Sequence, residues 1–174
     1  MFETWKDSAT RMLNELPKLQ LGYPLDDNVI VKPDTSLVAR TVLMRRCKVP
    51  DESLVGFYEE CDGISWPDVH NGYFLRQLNE IAGPLQDGMP ASISATAKKP
   101  ILVIGSTGGG SLFAVDCLSS EVLILPLGKV VDGVYEDHSN AISVVSKNVY
   151  GFAERLLEDL SAFLKCRRDH QYLA

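Results

Sequence analysis

The chain has 174 residues, 45% of them hydrophobic, with a formal net charge of −6 and a pI near 5.0. This length and apolar fraction suffice for one domain with a sizeable core, and the acidic balance argues against a nucleic-acid-binding surface. The N-terminal residues lack a signal-peptide pattern and no run approaches the ~18 apolar residues of a membrane span. We therefore expect a cytoplasmic protein that binds neither membrane nor nucleic acid.

The first part of the chain predicts two helices. Apolar residues from Phe2 to Leu16 recur at helical spacing, and Pro17 ends that helix. A loop follows, in which the apolar run 28–31 can form an edge strand. A second helix can then start with Asp34 or Thr35 as its N-cap.

The third helix has the clearest boundaries. Asp51 and Glu52 stand in its first turn, where carboxylates favour the positive end of the helix dipole, and Gly63 is placed as the left-handed residue after its end. The last element of the chain is also a strong amphipathic helix, with Ser146 as N-cap and apolar residues repeating from Val149 to Leu164.

Between these helices the pattern changes to short β segments. The gaps between most of them are too short for crossover helices, so neighbouring strands should pair antiparallel. The segment 82–99, rich in Pro, Gly, Ala and Ser, is expected to be a flexible loop. The predicted strands are 72–79, 100–105, 111–117, 121–125, 130–135 and 141–145.

The order of these elements predicts a single α+β domain over residues 1–174. Its antiparallel sheet has about five or six strands, with N- and C-terminal helices packed against it. The glycine-rich run from Gly105 to Gly110 raises the alternative of a phosphate-binding loop, but Ser111 stands where a Walker A lysine belongs. The alternation from Leu112 to Asp116 indicates a strand, so we interpret the run as a β-turn and expect no cofactor.

The search for catalytic groups gives no clear pattern. The four cysteines form no C-x-x-C pair and are expected to be reduced, and the three histidines are expected to be solvated or capping. A paired-carboxylate mechanism stays open, because such pairs form in space rather than in sequence. The cysteines are Cys47, Cys61, Cys117 and Cys166, and the histidines are His70, His138 and His170.

Several features in this order resemble the SUKH superfamily, which contains yeast cell-wall synthesis regulators and many bacterial immunity proteins. A helix that starts near Val49 and Pro50 ends before a glycine, an aromatic-bearing strand and a glycine-rich segment follow, and then come EVLILP and the helix with FAERLLEDL. The resemblance covers about 34–164; the long 82–99 loop and Asp62 in place of Asn depart from it. Its structural signature is Gly63, Gly105, Gly108, Gly109, Gly110, Phe113 and Asp116.

The resemblance implies a non-enzymatic protein-binding domain. The leading expectation is an immunity protein that neutralises a cognate toxin, often a nuclease, by direct binding, and the acidic surface suits a basic toxin. There are two alternatives: a regulatory interaction module without a toxin, and a small-ligand or nucleotide site at Gly105–Gly110. Because the glycine run is interpreted as a structural turn, Gly109→Val is expected to impair folding before it affects any ligand. Charge and loop position select these partner-binding residues: Glu59, Glu60, Asp62, Trp66, Asp68, Glu136 and Asp137.

Overall fold

A computed structural model describes residues 2–48, 50–85, 88–94, 98–137 and 141–173. Val49 and His138, which the sequence reasoning named, lie outside these ranges. The helices are α1 (Phe2–Leu13), a 3₁₀ turn (Leu16–Lys18), α2 (Ala39–Met44), α3 (Glu52–Glu60), α4 (Leu78–Ala82) and α5 (Val149–Leu164). The strands are β1 (Val29–Ile30), β2 (Ile64–Trp66), β3 (Tyr73–Leu75), β4 (Ser92–Ile93), β5 (Lys99–Thr107), β6 (Leu112–Asp116), β7 (Val122–Leu125), β8 (Lys129–Val131), β9 (Val134–Glu136) and β10 (Ser143–Ser146).

The long strand β5 organises the sheet. Its second half pairs with β3 and its first residues pair with β4, while β6 pairs along its other side. One path therefore runs β1-β2-β3-β5-β6-β7-β10, antiparallel throughout, and a branch continues from β4 to β9 and β8. The predicted α+β class and antiparallel pairing are confirmed, but there are more strands than expected and the β4–β9 pair is parallel.

The two faces of the sheet bury different partners. On one face the helices enclose a core that includes Trp5, Phe57 and Phe152 together with Trp66 and Phe113 of the sheet. The other face carries a smaller cluster whose buried members all lie on strands, including β4 and β9. Its buried members are Ile93, Ile101, Val103, Ala114, Leu123, Leu125 and Tyr135.

The helix boundaries follow local capping. The start of α3 lies where it was predicted, but Asp51, expected in the first turn, is its N-cap and accepts a hydrogen bond from the Ser53 N–H. The second helix begins later than predicted, after Val38, because the Asp34 carboxylate accepts the Ser36 N–H and closes a turn instead. The N-cap of α5 is Asn148 rather than Ser146.

Two strand predictions were too long. The segment 72–79 contains β3 but then turns into α4, whose capping box joins Gln77 and Glu80. The segment 130–135 is a hairpin, with left-handed Asp132 and Gly133 between β8 and β9. The predicted 82–99 loop contains β4; residues 86–87 and 95–97 lie outside the described ranges, so its flexibility stays a prediction.

The expectation of four reduced cysteines is wrong for one pair. Cys47, after α2, and Cys117, after β6, form a disulfide across a sequence separation of 70 residues, whereas Cys61 and Cys166 are free. Sequence spacing could not show this, because the tertiary fold brings their Cα atoms within 5.1 Å. Within the described ranges, no helix is both long and apolar enough to cross a bilayer.

Candidate functional site

The glycine-rich run forms the turn of the β5–β6 hairpin. The Thr107 N–H donates to the Ser111 carbonyl at 2.8 Å, and the Gly110 N–H donates to the Thr107 carbonyl at 3.0 Å. A strand follows this turn, where a Walker A or dinucleotide loop would open a helix. The β-turn interpretation is therefore confirmed.

Three of the signature glycines permit close backbone approach: Gly63, where a Cβ would lie 2.5 Å from the Leu75 carbonyl oxygen, and the two glycines of the β5–β6 hairpin described next. A Cβ on Gly105 would lie 2.3 Å from the Phe74 carbonyl oxygen, and one on Gly108 would lie 2.1 Å from the Asn71 carbonyl oxygen. Both contacts are with the main chain, which cannot rotate away as a side chain would. Gly105 and Gly108 hold the β5–β6 hairpin against β3 and the turn that precedes it.

The signature glycines also differ in backbone conformation. Gly63 and Gly110 have left-handed φ angles of 95° and 85°, which disfavour any side chain. Gly63 lies between α3 and β2, two residues beyond the C-cap Cys61. Gly109 has neither feature: a Cβ there would meet only the Thr107 Oγ1 atom, at 3.6 Å. The structure therefore gives no reason for Gly109→Val to impair folding first.

Phe113 and Asp116 are both fully buried on β6. Phe113 packs against Phe152 of α5, with ring centroids 4.9 Å apart. The Asp116 carboxylate lies 2.5 Å from the Lys99 amine and accepts the Leu118 N–H at 2.8 Å. Burial alone would raise the pKa of Asp116, but Lys99 and the backbone N–H groups outweigh it and lower this pKa.

Two carboxylates of the predicted contact set lie inside the protein. Asp62 is 2% exposed and accepts the Leu78 N–H at the start of α4, and burial raises its pKa. Asp68 is 5% exposed and accepts hydrogen bonds from the Asp26 N–H and the Asn28 side chain. Both therefore hold loops in place and are not available to a partner in this conformation.

The remaining predicted partner-binding residues outside α3 lie in the core or at the β8–β9 hairpin, and do not form one surface with Glu59 and Glu60. Trp66 is fully buried and stacks on Trp5 with ring centroids 6.0 Å apart, so it anchors the core and not an interface. Glu136 lies on β9 and pairs with Lys129 across the β8–β9 hairpin. Asp137 follows it and accepts a main-chain N–H at 3.2 Å.

Glu59 and Glu60, at the end of α3, are brought beside a groove of about 730 Å³. The groove lies between α1 and the strand β1, and its walls combine apolar and charged side chains. Its lining includes Lys6, Asp7, Thr10, Leu13, Val29, Ile30, Val31, Lys32, Glu59 and Glu60.

Strand β1 forms the open edge of the sheet along this groove. Val31 directs its N–H to the Gly63 carbonyl at 3.0 Å, and its carbonyl accepts the Asp62 N–H at 2.9 Å. Main-chain groups alternate in direction along an antiparallel strand, so the N–H and carbonyl of Ile30 point away from β2. In the described part of the chain, β1 pairs with β2 alone.

The groove has an excess of negative charge. Glu60 forms a 3.4 Å ion pair with Lys6. Asp7 and Glu59 are exposed, and within the described ranges neither carboxylate forms an ion pair. Lys32 is the remaining cation of the lining. An open strand edge beside unpaired carboxylates suits a partner that offers an extended, basic segment.

Sequence reasoning missed a polar network beneath α5. The Asp159 carboxylate is fully buried and accepts hydrogen bonds from the Tyr73 hydroxyl at 2.5 Å and the Leu173 N–H at 3.0 Å. Its other oxygen lies 2.7 Å from His170 Nε2. Burial, and then the hydrogen bond to Asp159, raise the pKa of Tyr73.

This network fixes the C-terminal segment to the core, so His170 is not the solvated tail residue expected. One signal was present: Asp159 lies on the apolar stripe of α5, three residues after Leu156. His70 also contacts this segment, stacking on Tyr172 with centroids 4.1 Å apart. Among described residues, no group of three or more His, Cys, Asp or Glu side chains is placed to hold a metal ion.

Comparisons with family models, with curated proteins and with solved structures found no match to this chain, so the SUKH resemblance stays a prediction.

Proposed function

We propose that this protein is a non-enzymatic binding domain, an immunity protein that neutralises a basic toxin by direct contact through the groove between α1 and β1. The observation that carries the proposal is the open edge of β1 beside the unpaired carboxylates of Asp7 and Glu59. The net charge of −6 supports it, because an acidic surface accelerates association with a basic partner.

The edge strand supplies the geometry of this proposal. Main-chain groups at Ile30 can pair with an added strand, which gives affinity that depends little on side chains. The carboxylates beside the edge then select basic partners. For a nuclease toxin, the same charges would compete with nucleic acid for its basic surface.

The first experiment measures binding and inhibition together. The purified product of the gene adjacent to this one is mixed with the full chain, and the complex is followed by calorimetry at two salt concentrations. A stoichiometric complex that weakens with salt and abolishes toxin activity is expected. Persistence of toxin activity with this protein in excess would refute the proposal.

A matched pair of variants tests the groove itself. Glu59→Lys reverses an exposed, unpaired charge in the groove, and Glu154→Lys makes the same change on the exposed face of α5, outside the lining. Glu59→Lys should slow association about tenfold and Glu154→Lys should leave it nearly unchanged. Equal effects of the two variants on the association rate would show that only the net charge of the protein matters, and would contradict binding at the groove.

The regulatory-module alternative uses the same groove with a non-toxic partner. Purification of the complex from native cells, followed by a toxicity assay of the partner, separates the two functions.

A further inference from the structure

We propose that a second cleft, which shares no lining residue with the groove, binds a phosphate-sized oxyanion. The cleft has a volume of about 160 Å³ and lies between α4, the residues after α2, and β5. Arg45, Arg46 and Arg76 all contribute to its lining, although the protein as a whole is acidic.

The charges of the cleft are unbalanced. Its lining contains three guanidinium groups and one carboxylate, that of Glu80. The Glu80 carboxylate is engaged in the α4 capping box, where it accepts the Gln77 N–H at 2.9 Å. None of the three arginines forms an ion pair with any described residue. The excess of two positive charges matches a phosphate dianion.

Arg46 and Arg76 are held in place by neutral acceptors. Arg46 donates through Nε to the Ile81 carbonyl at 3.0 Å and through Nη2 to the Gly83 carbonyl. Arg76 donates through Nη2 to the Glu80 carbonyl at 2.9 Å. Each guanidinium carries five N–H donors, so both retain donors for a ligand. Their positions are therefore set before any anion binds, which reduces the entropy cost of binding.

The size of the cleft limits the ligand. Its volume is smaller than the ~300–1,000 Å³ of sites for drug-sized molecules. A phosphate ion or the terminal phosphate of a monoester fits this volume, and guanidinium groups bind such oxygens with paired, charge-assisted hydrogen bonds. The rest of the lining is apolar and includes Pro84, Leu85 and Pro90, against which the carbon atoms of an ester can lie.

Titration of the full chain with inorganic phosphate at constant ionic strength tests the proposal. Calorimetry and ³¹P NMR should show one site with a dissociation constant near 1 mM, an order-of-magnitude expectation. Phenyl phosphate serves as the monoester probe. If it binds at least as tightly, the site recognises a terminal phosphate; if only inorganic phosphate binds, it recognises the free ion.

Variants link the binding to the cleft. Arg45→Gln removes an exposed arginine whose guanidinium forms no hydrogen bond or ion pair with any described residue, so the fold should persist. Arg168→Gln removes an exposed arginine outside the cleft. Arg45→Gln should weaken phosphate binding about tenfold and Arg168→Gln should not. Equal binding by the two variants, or no saturable binding at tens of millimolar phosphate, would overturn the proposal.

Discussion

Asp159 and Glu59 carry the same charge on two helices that pack together, α5 and α3, yet their environments are opposite. Asp159 is fully buried, and its two oxygens are saturated by a hydroxyl, a main-chain N–H and an imidazole. Glu59 is exposed and forms no ion pair within the described ranges. The contrast shows that burial and saturation separate structural acids from acids available to a partner, whereas charge and position in sequence do not.

The largest expected effect on stability comes from removing the buried Asp159 carboxylate. Asp159→Ala leaves the Tyr73 hydroxyl and the Leu173 N–H without their acceptor, and should cost about 3–5 kcal/mol of unfolding free energy. Urea unfolding measures this, with Glu158→Ala as the exposed control on the same helix, expected to change stability by less than about 0.5 kcal/mol. Similar losses in both variants would contradict the contrast.

The glycine turn provides a second contrast between a constrained and an unconstrained position. Gly108→Ala places a Cβ against the Asn71 carbonyl and should lower stability by about 1–3 kcal/mol, because main chain must move. Gly109→Ala, one residue later, should change it by less than about 0.5 kcal/mol. Thermal unfolding compares them, and a Gly109→Ala loss as large as that of Gly108→Ala would contradict the packing described.

The Asp116–Lys99 pair adds a pH-dependent test. The folded pKa of Asp116 lies below its ordinary value, so this stabilisation is present above about pH 4 and is lost as pH falls through the lower folded pKa. Lys99→Gln should cost about 1 kcal/mol, a modest loss because the amine is half exposed, and should move acid unfolding to higher pH. The neighbouring exposed Lys98 gives the control, Lys98→Gln, which should leave the acid midpoint unchanged.

The smallest effect is expected at Asp62 and has the opposite sign. Its folded pKa is raised, so folding loses stability as pH rises above the ordinary carboxyl value. Asp62→Asn retains an acceptor for the Leu78 N–H without the buried charge, and should add about 0.5 kcal/mol at neutral pH. Exposed Asp27→Asn is the control for stability curves at pH 4 and pH 7. A loss of stability at pH 7 in Asp62→Asn would show that the charge itself is required.

Local patterns predicted the elements that depend on neighbours in sequence. The amphipathic stripe of α5, the start of α3 near Asp51 and the hairpin turn at Gly108 all rest on contacts within a few residues. Helix α4 and strand β4 escaped prediction, since their short segments are stabilised by partners distant in sequence. β4, for example, pairs with β9 as well as with β5.

Only part of the candidate groove could be predicted from the sequence. Glu59 and Glu60 were selected by charge and position, but the edge of β1 that completes the site depends on which strand ends the sheet. Asp62, Trp66 and Asp68 were selected by the same criteria and proved to be buried. Neither charge nor aromaticity reports exposure, because polar atoms can be buried when the fold supplies partners.

The sequence by itself determined the α+β class, the antiparallel pairing of most strands and the glycine turn. Each follows from a local property: the period of the apolar residues, the short connections between strands, and the conformational freedom of glycine. Tertiary structure alone decided which carboxylates are buried, which cysteines form a disulfide, and which arginines line one cleft. Each of these depends on distances between residues far apart in the chain, such as the 5.1 Å between the Cα atoms of Cys47 and Cys117.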